Sequence, residues 1–166
     1  MLLPVGLTRF EGATLTVRLY SSTPLERITA VHADTDSHTS VALMRILLKE
    51  RHNLEPEVIP YHAREHVAQN KPIDWPETML LIGDKVVTDS PPAVRYPHQL
   101  DLGAAWRETT GLPFVFAAWM AKRTTNPALL RRAMMVLDRA RRANAMRIDS
   151  IAHTRAKSRN WPGDLA

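Results

Sequence analysis

The stretch "ITAVHADTDSHTSVALMRILLKE", residues 28–50, decides the fold class. Its first part, Ile28 to Ala33, is rich in β-branched residues and bounded by Pro24 and Asp34, which predicts a short strand. From about Thr39 to His52 the period changes to that of a helix. Val41, Met44, Leu47 and Leu48 share one stripe, while Arg45, Lys49 and Arg51 fall on the opposite side. Asn53 supplies a stop. A strand, a Ser/Thr-rich turn and a helix N-terminus form a natural seat for an anion, because the first helical N–H groups lack partners within the helix. Ser37, Thr39 and Ser40, with the N–H groups of Ser40 and Val41, are therefore expected to grip a carboxylate. Plain helix capping accounts for Asp36, Ser37, Thr39 and Ser40 without any ligand.

Outward from this unit the same alternation continues. "ATLTVRLYS" (Ala13 to Ser21) reads as a strand with Leu15, Val17 and Leu19 on one side. "TPLERI" reads as a helical turn capped by Thr23, with Pro24 at its first position. "PEVIPY" predicts a third strand, and "TMLLIGD" (Thr78 to Asp84) a strand buried on both faces of a parallel sheet. "LDLGAAWRETTG" predicts a helix closed by Gly111, and "LPFVFAAWM" a buried strand with Phe114, Phe116 and Trp119 in the core. Pro127 to about Arg155 reads as helix with a break near Asn144. The result is an α/β chain with mostly parallel neighbours. In such sheets ligands sit beyond the carboxyl ends of strands, where the turn Asp34 to Ser40 and the corner Gly83-Asp84 both fall.

Composition narrows the class further. The chain has 166 residues, 45% hydrophobic and 23% charged, enough for a real core. With no cysteine, disulfides and thiolate metal sites are excluded. The apolar run of "MLLPVGLTRF" is too short for a signal peptide, and no long apolar stretch follows, so the expectation is a cytoplasmic protein with no membrane partner. The net charge of +5 gathers in residues 131 to 159, where arginines outnumber acids. No aromatic residue interleaves with them, so a solvated helix face is expected and no nucleic-acid partner.

Two short motifs need weighing. "HAREH" places His62, Glu65 and His66 in the inverted zinc-protease pattern, but the prolines around it leave little helix to hold a metal, so no metal site is expected. Gly83-Asp84 offers either a carboxylate beside a cleft or a tight strand exit with a capping Asp. Gly-rich dinucleotide, P-loop and nucleophile-elbow patterns are absent from the sequence.

The strings "VRLYSS", "HADTDSHTSVALMRILL", "LLIGDKVV", "YPHQLDLGAAWRETTGLPFVFAAWM" and "RRANAMRIDSIAHTRA", in this order, closely resemble the second half of the chorismate dehydratases of the futalosine route to menaquinone. The resemblance runs from roughly Thr14 to Ala166. It implies a type 2 periplasmic-binding-protein-like fold, of which this chain holds mostly the second lobe. Residues 13–120 would be that lobe with its two crossing strands. Residues 121–166 would be C-terminal helices that pack on a first lobe not represented here, which predicts self-association through the uncovered surface. The implied reaction is conversion of chorismate to 3-[(1-carboxyvinyl)oxy]benzoate and water, with no cofactor. The expected substrate-binding residues are Ser37, Thr39, Ser40, Val41, Gly83 and Asp84, and the catalytic base is not assigned. A sister family, the dihydroxynaphthoate synthases, is expected to carry a histidine where Gly83-Asp84 stands, which favours the dehydratase. A non-catalytic anion-binding module of the same fold is the other reading.

Overall fold

The computed structural model describes residues 1–64, 74–158 and 161–162, and the chain divides into two compact units. Unit 2, Phe10–Phe114, is built on a mixed five-stranded sheet. Its strands are β2 (Val17–Ser21), β3 (Ala30–Asp34), β4 (Glu57–Tyr61), β5 (Thr78–Ile82) and β6 (His98–Asp101), in the spatial order β4-β3-β5-β2-β6. β3 runs parallel to both β4 and β5, and β2 runs antiparallel to β5 and β6. The expected parallel arrangement therefore holds for β4-β3-β5 only. β5 is buried and, after Thr78, apolar, as expected, but burial on both faces is indifferent to the direction of a neighbour. Pro60 is tolerated in β4 because that strand is the edge of the sheet, where a missing N–H is not needed by a second neighbour.

Helix α1 (His38–His52) buries Leu43, Met44, Leu47 and Leu48, and Val41 is only half-buried, so the apolar stripe is rotated toward Leu43. Asn53 ends the helix in the left-handed conformation, its N–H returning to the carbonyls of Leu48 and Lys49. The turn Leu25–Arg27 is a 3₁₀ segment flanked by Pro24, with no side-chain cap. The Thr23 hydroxyl lies 3.3 Å from Ser21 Oγ instead. A single turn, α2 (Lys85–Thr88), follows β5, and α3 (Leu102–Thr110) follows β6 and is closed by Gly111 at φ 72°. α1 and α3 are tied through Arg51, whose guanidinium reaches Glu108 Oε2 at 2.9 Å.

The start of α3 carries a specific closure. The Asp101 carboxylate accepts the N–H groups of Gly103 and Ala104, each at 3.0 Å, as a helix cap. It also accepts the N–H groups of Thr14 and Leu15, each at 2.9 Å. Those two amides are thereby taken away from any ladder. The strand expected from Ala13 begins only at Val17, and Leu15 sits exposed at φ 59° rather than on an apolar face. Gly103 is required by the same closure, since a Cβ there would lie 2.4 Å from the carbonyl oxygen of Gly12.

Unit 1, Met1–Arg9 and Val115–Ala166, holds a two-stranded sheet of β1 (Leu2–Phe10) and β7 (Phe114–Met120) with helices α4 (Pro127–Ala145) and α5 (Ile148–Ser158). β1 is a strand that the sequence reading did not assign. α4 begins as a capped helix should: Asn126 Oδ1 accepts the N–H groups of Ala128 and Leu129, and Pro127 occupies the first turn. The expected break falls at Met146–Arg147. β7 is not the buried strand expected from its composition. It pairs with β1 in a sheet of two, so Phe114 and Phe116 are half-buried and Trp119 is 52% exposed.

Gly103→Ala tests the closure of α3. In an open helix, alanine for glycine stabilises by about 1 kcal/mol. Here the backbone collision should win, with a net destabilisation of about 1–3 kcal/mol as for other over-packed positions. Urea unfolding followed by circular dichroism measures the difference, and a more stable variant would contradict the contact.

Candidate functional site

The parallel strands β4, β3 and β5 all end on one edge of the unit 2 sheet, and the polar groups gather there. β3 ends at Asp34, which is 1% exposed. Asp34 Oδ1 accepts the Asp36 N–H at 3.2 Å, an Asx turn that bends the chain toward α1. Asp34 Oδ2 accepts the Ile82 N–H at 3.3 Å and lies 2.6 Å from Lys85 Nζ. Lys85 is itself buried, 7% exposed, and its ammonium also meets Asp36 Oδ2 at 2.7 Å. Arg64 Nε donates to the same Asp36 oxygen at 3.0 Å. From β4 the Tyr61 carbonyl accepts the Thr35 N–H at 3.2 Å, and Thr35 Oγ1 lies 3.2 Å from His62 Nδ1.

Electrostatics follow from this geometry. Lys85 above all, then Arg64, holds the Asp36 carboxyl below its ordinary value. A carboxyl lowered in the folded state stabilises the fold above the usual carboxylate range and loses that share as pH falls through the lowered one. The charges of Lys85 and Arg64 offset those of Asp34 and Asp36.

The structure brings both expected features to this edge. Gly83 turns the chain at φ 76°, a conformation that strains any L side chain, although no neighbour would touch its Cβ. The turn returns Lys85 under the Asp34–Asp36 bend. Asp84 starts α2 without a side-chain cap, so the capping role considered for it is not the one it has.

At the start of α1 the donor set differs from the one expected. Ser37 is the N-cap, and its Oγ accepts the Ser40 N–H at 3.2 Å. The Val41 N–H goes to the Ser37 carbonyl at 3.4 Å. Both amides expected to grip a ligand are thus committed to the helix. Ser40 is 1% exposed with its hydroxyl 3.1 Å from Ser37 Oγ, so it stabilises the cap from inside. The remaining first-turn amides are those of His38 and Thr39, which by helix geometry have no partner within the helix. Thr39 is half-buried beside them.

Lys85, Asp34 and Asp36 were missed as site residues. Their trace was a lysine inside the apolar run "LLIGDKVV" and two aspartates at the mouth of a strand. His62 is placed as described, whereas Glu65 and His66 of the "HAREH" motif lie outside the described residues. Among the described residues there is no group of three metal-capable side chains, and no helix is long and apolar enough to cross a membrane. A concavity of about 480 Å³ lies along α1, lined by Arg45, Ile46, Lys49, Glu50, Glu55 and Pro56. It shares no residue with the polar edge, and the chemistry argues for the edge.

Lys85→Met should cost about 3–5 kcal/mol, because it leaves the Asp34 carboxylate buried without its partner. The double variant Lys85→Met/Asp34→Asn removes the orphaned charge and should recover more than half of that loss. Urea midpoints for the set measure it, and a double variant no better than the single one would refute the pairing.

Comparison with known proteins adds two findings. The model of the family described as "Menaquinone biosynthesis" matches residues 10–162. Chorismate dehydratase of Thermus thermophilus is 31% identical over 170 residues, covering 94% of this chain. The chain spans 60% of the length of that relative.

Proposed function

Since the chain belongs to the menaquinone biosynthesis family, we propose that it acts in the dehydration of chorismate, as the name of its Thermus relative states for that protein. The reaction removes one ring proton and expels one hydroxyl as water, and aromatisation to 3-[(1-carboxyvinyl)oxy]benzoate drives it. It is a carbon–oxygen lyase reaction that uses a small-molecule substrate and no cofactor, in the cytoplasm. The observation that carries this reading is the 31% identity across 94% of the chain.

Chorismate carries two carboxylates, and the start of α1 suits one of them. The amides of His38 and Thr39, the Thr39 hydroxyl and the helix dipole would face it, with Ser37, Ser40 and Val41 holding the cap behind them. Fixed dipoles of this kind need no reorganisation when an anion arrives. Gly83 and Asp84 would flank the same site from the neighbouring strand exit. In architecture, residues 13–120 would form the second lobe of a periplasmic-binding-protein-like fold, with residues 121–166 as its C-terminal helices. Kept alone, residues 1–166 should self-associate through exposed apolar surface in a concentration-dependent way. Light scattering at two or more concentrations checks this, and a concentration-independent monomer mass would count against it.

The site is tested at Thr39 rather than Ser40, because an acid at the buried Ser40 would break the cap itself. Thr39→Asp leaves the helix intact, since an acid in the first turn is favoured by the dipole. It places a negative charge against the ligand, a repulsion of up to about 4 kcal/mol near a protein surface. Calorimetric titration of the full chain with chorismate should show at least a tenfold weaker affinity for Thr39→Asp at an unchanged melting temperature. Equal affinity in the two proteins would remove the ligand from this turn. Absence of chorismate binding and turnover in the wild type would overturn the functional reading.

A further inference from the structure

A concavity of about 240 Å³ lies at the end of the unit 2 sheet opposite the polar edge. Its wall includes Ala30 and Thr78, the first residues of β3 and β5, whereas the polar edge forms where those parallel strands end. The connection from β2 to β3 supplies Arg27 and Thr29, and the residue before β5 supplies Glu77. His32 joins them from the middle of β3. Backbone bonds fix this frame. The Glu77 carbonyl accepts the Ser22 N–H at 3.0 Å, the Pro24 carbonyl accepts the Arg27 N–H at 2.9 Å, and the Thr29 carbonyl accepts the Glu57 N–H at 2.9 Å. A wall held in this way does not have to be ordered when a ligand enters.

Its side chains are polar and uncommitted. Among the described residues, neither Arg27 nor Glu77 makes an ion pair or a side-chain hydrogen bond, with each other or elsewhere. The His32 ring stands edge-on to the Tyr61 ring, with centroids 6.2 Å apart, and its nitrogens take no hydrogen bond among the described residues. The larger concavity along α1 is the contrast, because there Lys49 and Glu55 already close on each other at 2.7 Å.

One cation and one anion lining the same small space set the charge of what fits. A simple anion gains from Arg27 and is opposed by Glu77, and a simple cation meets the reverse. A molecule that carries both charges satisfies both side chains, its carboxylate taking paired N–H groups from the guanidinium. The volume is below the roughly 300 Å³ at which pockets for drug-sized ligands begin, so the ligand is small. We propose that this concavity binds a free α-amino acid with a short side chain, its carboxylate on Arg27 and its ammonium on Glu77, with Thr29 and His32 beside its side chain. The site is separate from the seat proposed for chorismate, and the inference does not rest on that reading, because its test uses no chorismate.

Glycine and serine are the probes, titrated into the full chain while the histidine ring signals are followed by NMR, with His32 assigned through His32→Gln. A saturable shift of the His32 signal is expected. Acetate, ethylamine and inorganic phosphate each carry one sign of charge and should bind at least tenfold more weakly than serine. Arg27→Gln and Glu77→Gln should each weaken serine binding at least tenfold at an unchanged melting temperature, since both residues are exposed. Lys49→Gln, in the other concavity, should leave the affinity as it is. The proposal fails if neither glycine nor serine shifts His32, or if Glu77→Gln binds serine as the wild type does. It fails equally if acetate, ethylamine or phosphate binds as tightly as serine, which would mark a site for a single charge. The ligand series is read on the wild-type protein, so a variant that unfolds does not leave the question open.

Discussion

The Lys85 ammonium, held between the carboxylates of Asp34 and Asp36, is the interaction on which the functional edge depends. Two aspartates so close at the end of a strand would repel each other, and the buried Asp34 would bear a desolvation penalty for its charge. Lys85, at the start of α2 just beyond the neighbouring parallel strand β5, removes the repulsion, and a single cation with several donors can serve both carboxylates. The arrangement demands that β5 end with a sharp reversal, which explains the positive φ of Gly83. It also leaves the second oxygen of Asp34 free to take the Asp36 N–H, and that bend sets the entry angle of α1. Strand exit, turn and helix entry thus meet at one ion cluster, whose Asp34 and Lys85 are buried.

Such a cluster affects function by what it cancels. Lys85 and Arg64 offset the charges of Asp34 and Asp36, and under the proposed function the pull on a substrate carboxylate would come from oriented amides and the helix dipole, which give direction without the deep well of an isolated cation. The Ser37 and Ser40 hydroxyls and the Ser40 N–H complete the cap, which stiffens the start of the helix. By helix geometry the amides of His38 and Thr39 have no partner within it.

Local features were legible in the sequence, and long-range ones were not. The span of α1, its stop at Asn53, the closure of α3 by Gly111 and the break after Ala145 each depend on residues within a turn or two, so period and capping rules reach them. The position of the turn beyond a strand end was readable for the same reason. The direction of β2 was not, because alternation and apolarity are the same in parallel and antiparallel partners. Leu15 failed as a strand residue through Asp101, far along the chain, whose carboxylate takes its amide. Lys85 could not be singled out, because nothing near it in sequence indicates that two aspartates wait for it across the sheet. In β7 the aromatic run was taken for core, yet composition cannot count how many neighbours a strand will have.

The two units differ in how far their own residues satisfy them. In unit 2 the central strands are covered, and a cluster of Tyr20, Tyr61, Trp75, Met79, Leu81 and Tyr96 packs behind the lysine corner, with the Tyr96 hydroxyl bonded to the carbonyls of Trp75 and Pro76. Burial raises the titration of those phenols, so they remain neutral under ordinary conditions. Unit 1 has the opposite character, with no described residue of α4 or α5 fully buried. A 19-residue helix with a capped start and a clear apolar seam is not a sequence selected to face water on all sides. Its Leu129 and Val136 stay 61% and 66% exposed, so the apolar surface of unit 1 exceeds what its own residues cover.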